Sequence, residues 1–217
     1  MSARSQWSWC IKWGVERAVA ALALLLVFPL LLGLALLVKL TSRGPVLYVS
    51  DRLGHGGCVF KLYKFRSMMD GVPAVLGVDG KVLTLKSDSR VTSIGKFLRL
   101  GFDELPQLLN ILRGDMCLIG PRPDVLWEKD RYTDRQRRRL EVRPGITGLA
   151  QVVGGRYMNN AQNYELDVLY VEQSTWRMDA LILLLTLPYS LGMDHIGVKV
   201  FRKYIEAVRP LAESLEK

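Results

Sequence analysis

GFDELPQLLNILRGDMCLIGPRP, residues Gly101–Pro123, places two adjacent carboxylates, a helix start and a glycine-, proline- and arginine-rich loop in one stretch. Asp103 stands where a helix N-cap is expected, with Pro106 in the first turn. Leu105, Leu108, Leu109 and Leu112 follow at helical spacing, and Gly114 ends the pattern. Aspartate at a cap followed by glutamate stabilises an ordinary helix by about 1 kcal/mol, and that is the bland reading of the pair. A helix N-terminus also attracts phosphate, and Arg99, Arg113 and Arg122 are near in sequence.

Upstream, Ala18–Val38 is an uncharged run, AVAALALLLVFPLLLGLALLV, of the length a membrane-crossing helix needs. It is too long for a cleaved signal peptide, and Lys39-Leu-Thr-Ser follows it in place of a small-residue cleavage site. Pro29 interrupts the run, where it removes a backbone hydrogen bond and kinks a helix. Basic residues flank both ends: Arg4, Lys12 and Arg17 before, Lys39, Arg43 and Arg52 after. The positive-inside rule therefore selects no orientation. Two readings remain: a single pass with a tolerated proline, or a helix bent at Pro29 that enters and leaves by one face.

Between these two regions, Val46–Ser50 and Val59–Phe65 flank a Gly54–Gly57 turn and predict a hairpin. The glycine cluster lacks the spacing of a phosphate loop, and His55 within it reads as a surface residue. Asp79-Gly80 predicts a second short hairpin or a loop, and Thr92–Arg99 a short helix. Downstream, Asp124–Val142 reads as one charged helix crowded with arginines, broken by Arg143-Pro144-Gly145. Gln162–Glu172 and Asp179–Leu191 predict two more helices; the latter is apolar, too short to span, and suits a bilayer interface or a core.

With 217 residues the chain can bury a real core. Its net charge of +9 points to an anionic partner: phosphate esters, a lipid surface or nucleic acid. Cys10, Cys58 and Cys117 lack metal-type spacing and read as free thiols, and two histidines without an HExxH pattern exclude a zinc site. Carboxylates and arginines beside a membrane segment point to phosphoryl chemistry, with Mg²⁺ held by the carboxylates or direct attack on phosphorus.

The ordered blocks Lys64-Phe65-Arg66-Ser67-Met68, Ser89-Arg90-Val91-Thr92, Asp103-Glu104-Leu105-Pro106-Gln107, Gly114-Asp115-Met116, Gly120-Pro121-Arg122-Pro123 and Arg143-Pro144-Gly145-Ile146-Thr147-Gly148 resemble the bacterial monotopic phosphoglycosyl transferases. The resemblance runs from the apolar segment to about Thr186. It implies transfer of a sugar 1-phosphate from a UDP-sugar to polyprenyl (undecaprenyl) phosphate, releasing UMP, as the first membrane step of glycan assembly. It implies Asp103 as nucleophile, Glu104 as its partner, both at a Mg²⁺ site, and Lys64, Arg66, Arg90, Arg99, Arg122 and Arg143 as substrate contacts. The implied fold is α/β, mostly helical with short β-hairpins: residues 1–43 a membrane-embedded re-entrant helix kinked at Pro29, residues 44–217 an interfacial catalytic domain. The implied place is the cytoplasmic face of the bacterial inner membrane. Membrane lipids, downstream glycosyltransferases and a second copy of the chain are further candidate partners, and nucleic acid is not.

Two departures stand out. The family's kink is usually Ser-Pro, and here it is Phe28-Pro29; its arginine five residues before the Asp is here Arg99, four before. The extra N-terminal membrane helices of larger relatives are missing, so the expectation is a minimal catalytic version. A catalytically silent scaffold that holds anionic lipids through the Arg131–Arg143 cluster is the competing reading. A sugar code is not readable from the residues; specificity is expected from pocket shape, including the Met69–Lys86 loop and the C-terminal region.

Overall fold

In the computed structural model, which describes residues 6–71, 88–154 and 158–206, the apolar run forms one helix, α1 (Gln6–Thr41), assigned without interruption through Pro29. Trp9, Lys12, Glu16, Ala20, Leu34 and Val38 are buried, with Ala23, Leu24, Val27, Leu31 and Ala35 packed beside them. That three- and four-residue spacing is one helical stripe. The opposite face exposes Leu22, Leu25, Leu26, Phe28, Leu32, Leu36 and Leu40, Leu26 to 82%. Soluble surfaces rarely carry so large an apolar patch. Among the described residues, α1 is the one helix long and apolar enough to cross a membrane.

Both ends of α1 rest on the same body. Near the N-terminus, Lys12 Nζ, fully buried, donates to Glu16 Oε1 (2.5 Å) and to the Ile119 carbonyl (2.8 Å). Glu16 in turn accepts from the backbone N–H groups of Leu118 (3.2 Å) and Ile119 (3.3 Å). Near the C-terminus, Leu34 and Val38 pack with Phe65 and Leu98, and Lys39 Nζ donates to the Gly44 carbonyl at 3.3 Å.

After α1 the expected hairpin forms from β1 (Leu47–Leu53) and β2 (Val59–Phe65), antiparallel, with Leu47 opposite Phe65. α2 (Ser93–Leu98) starts where expected, capped by Thr92 Oγ1, which accepts from Gly95 N at 3.0 Å. The next stretch departs from the sequence reading. Gly101, at φ 114°, takes the cap position of a 3-10 turn over Phe102–Gln107, and α3 is only Leu108–Arg113. That left-handed φ suits glycine. Asp103 therefore lies inside the turn and caps nothing.

Asn110 on α3 is fully buried and docks the hairpin: Oδ1 accepts from Tyr63 N (3.2 Å) and Nδ2 donates to the Lys61 carbonyl (2.7 Å). This seats the end of β2 beside the 3-10 turn. β3 (Cys117–Ile119) then pairs in parallel with β4 (Gly145–Thr147), so the second strand pair is not a hairpin. The glycines of the two motifs explain one another. A Cβ on Gly145 would overlap the Gly120 amide, and one on Gly148 the Gly120 carbonyl.

The single helix expected over residues 124–142 is instead a 3-10 turn (Leu126–Arg131), a short α4 (Asp134–Arg137) and a second 3-10 turn (Arg138–Glu141). Tyr132 is extended, and a Thr133/Gln136 capping box starts the chain afresh. α5 (Leu149–Gly154), α6 (Asn160–Gln173), α7 (Trp176–Ser190) and α8 (Asp194–Val200) complete the fold. Their core joins Val152, Val153, Leu166, Tyr170, Ile182 and Phe201 to Trp9 of α1. α7 is two-faced: Met178, Ile182 and Leu185 are buried, while Leu181, Leu184 and Leu187 are exposed. The architecture is mostly helical with short sheets. The Asp79-Gly80 hairpin and most of the Met69–Lys86 loop lie outside the described residues.

Gly145→Ala is expected to cost roughly 2 kcal/mol or more, because backbone must yield to the added methyl. Gly33→Ala on α1 meets nothing within 4 Å and should be neutral or stabilising by about 1 kcal/mol. Melting temperatures in detergent separate the two; equal effects would contradict the close approach of β3 and β4.

Candidate active site

A cavity of about 770 Å³ opens beside the 3-10 turn, and Asp103 and Glu104 both line it. Glu104 Oε1 accepts from Lys64 Nζ of β2 at 2.6 Å and from Arg122 Nη2 of the Gly120–Pro123 loop at 3.0 Å. Burial pushes the Glu104 carboxyl up, but the Arg122 and Lys64 charges outweigh it and hold the group down at about 2. Glu104 is thus a fixed anion that ties three segments of chain together.

Asp103 is in the opposite condition. It is half-buried, and apart from its own backbone N–H no group among the described residues hydrogen-bonds or ion-pairs with its carboxylate. Burial raises its carboxyl above the usual aspartate range; Lys64 opposes that rise and the neighbouring Glu104 adds to it. Adjacent in sequence, the two carboxylates divide the work: one absorbs the cations, the other faces the cavity unpaired. A desolvated, unpaired carboxylate next to fixed cations is what attack on an anionic phosphate requires.

The other expected contacts divide in the same way. Lys64, Arg99 and Arg122 line the cavity with the carboxylates. Arg99 reaches it from the end of α2 despite its one-residue offset, and its Nε donates only weakly to Ser67 Oγ at 3.4 Å. Arg66 does not line it. Buried, Arg66 donates to the carbonyls of Arg43 and Ser42 and to Ser42 Oγ (2.9 Å), clamping the exit of α1. Arg90 lies outside the cavity, paired with Asp88 at 2.6 Å, and Arg143 stacks over the Trp13 ring at 4.3 Å.

Sequence reading passed over the cavity's supporting wall. Arg139, buried to 3% exposure, donates to Asp167 Oδ2 (2.6 Å), to Asp124, to Tyr132 OH (2.6 Å) and to the Arg122 carbonyl (2.8 Å). It holds the Arg122 loop against α6. Its neighbours are spent elsewhere: Arg135 on Glu165 and Glu172, Arg138 on Glu141 and Glu172. Three of the six arginines over residues 131–143 are thus committed to internal ion pairs, while Arg137 stays exposed, so less of the cluster is left to hold lipid than the scaffold reading needs. A signal was available in the carboxylates spaced along α6, since Glu165 and Glu172 share the helical face that an arginine-rich segment would cover.

Among the described residues, no group of three or more His, Cys, Asp or Glu side chains converges to hold a metal. Mg²⁺, however, is commonly held by one or two carboxylates together with substrate phosphates and water. Asp103 and the remaining oxygen of Glu104 form such a donor set.

Residues 7–192 match the family described as Bacterial sugar transferase. The chain is 41% identical to a UDP-N-acetylgalactosamine-undecaprenyl-phosphate N-acetylgalactosaminephosphotransferase of Aeromonas hydrophila, over 82% of the chain and 43% of that protein. It is 42% identical to a UDP-glucose:undecaprenyl-phosphate glucose-1-phosphate transferase of Caulobacter vibrioides, over 83% of the chain and 70% of that protein. An uncharacterized sugar transferase of Bacillus subtilis is 43% identical over 69% of the chain and 71% of its own length. The chain spans less than half of the Aeromonas relative and about two thirds of the other two. With that match over most of its length, the chain belongs to the bacterial sugar transferase family.

Proposed function

We propose that the protein is a phosphoglycosyl transferase, moving a sugar 1-phosphate from a UDP-sugar to polyprenyl phosphate at the cytoplasmic face of the bacterial inner membrane. The observation that carries this reading is the unpaired, cavity-facing Asp103 beside the Lys64–Glu104–Arg122 cluster. An Asp103 carboxylate oxygen attacks the sugar-bearing phosphorus, and the bond from that phosphorus to the bridging oxygen breaks. UMP leaves with the bridging oxygen and its electron pair. The phosphosugar is then joined to Asp103 as an acyl phosphate. A phosphate oxygen of the polyprenyl phosphate attacks the same phosphorus and returns Asp103 as a carboxylate, giving the polyprenyl diphosphate sugar.

Lys64, Arg99 and Arg122 supply positive charge to the diphosphate, so that an anion can approach an anion. Glu104 keeps Lys64 and Arg122 in place and, being ionised across the working range, takes no proton. Mg²⁺, held by Asp103 and Glu104, would supply further charge neutralisation at the phosphate oxygens. The names of the relatives, which couple a UDP-sugar to undecaprenyl phosphate, support the substrate pair.

The helix α1 brings the site to its lipid substrate. A re-entrant path for α1 is supported by the contacts that both of its ends make with one body, and by polar anchors at each end: Lys12 and Glu16 on β3, then the Arg66 clamp on Ser42. The exposed leucines between them would then enter the lipid from one side only.

Asp103→Asn should abolish UMP release from UDP-sugars, a loss of several orders of magnitude in kcat, while the melting temperature holds or rises. The variant removes a desolvated carboxylate from beside Glu104. Full turnover would remove Asp103 as the nucleophile. In the metal-free protein the Asp103 carboxyl should titrate above the usual value of 3.8, read by carboxyl NMR, because burial raises it. Mg²⁺ bound beside it should lower that value; a titration at the ordinary aspartate value without the metal would contradict the burial argument.

Topology is read from the two exposed thiols, Cys10 on α1 and Cys58 in the hairpin turn. In single-cysteine variants in sealed vesicles, an impermeant reagent should label both from the same side. Labelling from opposite sides would mean that α1 spans the bilayer.

A further inference from the structure

Two acceptor oxygens of the cavity residues are left over by the protein's own hydrogen bonds. Gln151 of α5 donates from Nε2 to the Ile146 carbonyl at 3.0 Å, and Asn163 of α6 donates from Nδ2 to the Met158 carbonyl at 3.4 Å. Those bonds fix which end of each amide carries the free oxygen. Gln151 Oε1 and Asn163 Oδ1 are buried and have no hydrogen-bond partner among the described residues. Both residues line the cavity that contains Asp103. An unsatisfied buried acceptor costs about 1–3 kcal/mol, and two of them on separate helices at one cavity point to donors that arrive with a ligand.

The chemistry of those donors follows from the surroundings. The cavity is also lined by Asn160, Tyr164, Thr186 and Tyr189, and by Asp124, Arg139 and Asp167. Arg139 is spent on the two aspartates, so the polar lining that α6 and α7 leave for a ligand is neutral, unlike the cations Lys64, Arg99 and Arg122. Neutral acceptors have no attraction for a phosphate, but they match hydroxyl groups. Two acceptors on different helices need donors pointing in different directions. A hexose presents hydroxyls around its whole ring, whereas the nucleoside offers one uracil N–H and two adjacent ribose hydroxyls on one edge. On the reading of this cavity as a nucleotide-sugar site, we propose that Gln151 and Asn163 accept hydrogen bonds from hydroxyls of the transferred sugar and so determine which sugar is taken.

The test compares kcat/KM for a panel of UDP-hexoses, including epimers and deoxy analogues of the preferred one. Gln151→Met and Asn163→Leu keep side-chain volume and remove the acceptor, and Asn163→Asp keeps an acceptor in place. Melting temperatures show that each variant is folded. Expected is a loss of about tenfold or more for the preferred sugar in Gln151→Met and Asn163→Leu, on the scale of one good hydrogen bond. Discrimination against the epimer or deoxy analogue should shrink with it, inhibition by UMP should stay unchanged, and Asn163→Asp should retain the discrimination.

Unchanged preference in both apolar variants would overturn the assignment. So would an equal loss for every UDP-sugar accompanied by weaker UMP inhibition, which would place the contacts on the nucleotide. A wild-type protein that releases no UMP from any UDP-sugar would sink the proposed function and this assignment with it. An active wild type with insensitive variants overturns the assignment alone.

Discussion

Everything at the cavity depends on one carboxylate oxygen. Glu104 Oε1 meets Lys64 from the hairpin and Arg122 from the loop after β3, at 2.6 and 3.0 Å. Charge-assisted hydrogen bonds are about twice as strong as neutral ones, and each cation would otherwise swing freely. The linkage has a definite sign. Glu104 is depressed in the folded state, to about 2 from 4.5. Its contribution is therefore complete above the unfolded value and is lost as pH falls from about 4.5 toward 2. Arg122 is half-exposed and solvent weakens its share, so Lys64, four-fifths buried, is the firmer partner. The consequence for Asp103 is negative in form and positive in effect. Its neighbour takes the cations, so it remains unpaired and raised.

The long apolar helix α1 belongs to this arrangement. Glu16 of α1 accepts from two backbone amides of β3, and Lys12 donates to the Ile119 carbonyl of the same strand. Tyr170 donates from the other side to that carbonyl, at 3.1 Å. β3 leads directly into Gly120–Pro123, which carries Arg122. An exposed apolar helix and a cavity-lining arginine are thus connected through one three-residue strand, and the close packing of Gly120 on Gly145 and Gly148 keeps that connection short. Breaking the buried Lys12–Glu16 pair by removing one partner would leave the other charge stranded in the interior.

Much of this was legible in the chain, and the illegible parts share a physical cause. The hairpin, the helix at Ser93, α6 and α7 follow from local periodicity and turn chemistry. The Asp103-Glu104 pair stood out as adjacent carboxylates among arginines, its role coming from the resemblance of the ordered blocks, and the structure places both residues at the cavity. Asp103 was misplaced as a cap because a left-handed Gly101 starts the turn two residues earlier, a choice that the sequence Asp103-Glu104-Leu105-Pro106 does not reveal. The expected arginine contacts divide between the cavity and other places because a guanidinium's partner is set by tertiary packing. Arg122 reaches Glu104, whereas Arg66, Arg90 and Arg143 end on the α1 exit, on Asp88 and on Trp13. Arg139 is buried and Arg137, two residues away, is exposed, a difference visible only once the 3-10 turn at Arg138 turns the chain.

The central claim is that Asp103 forms a bond to phosphorus while its neighbour does not. The most direct measurement incubates the full chain, in detergent or nanodiscs with Mg²⁺, with UDP-sugars and no polyprenyl phosphate, followed by rapid acid quench and peptide mass spectrometry. The expected result is one phosphosugar mass on the peptide containing Asp103, stoichiometric with a burst of UMP and discharged by adding polyprenyl phosphate. UMP formed only when the lipid acceptor is present, with the Asp103 peptide unmodified throughout, would contradict the account.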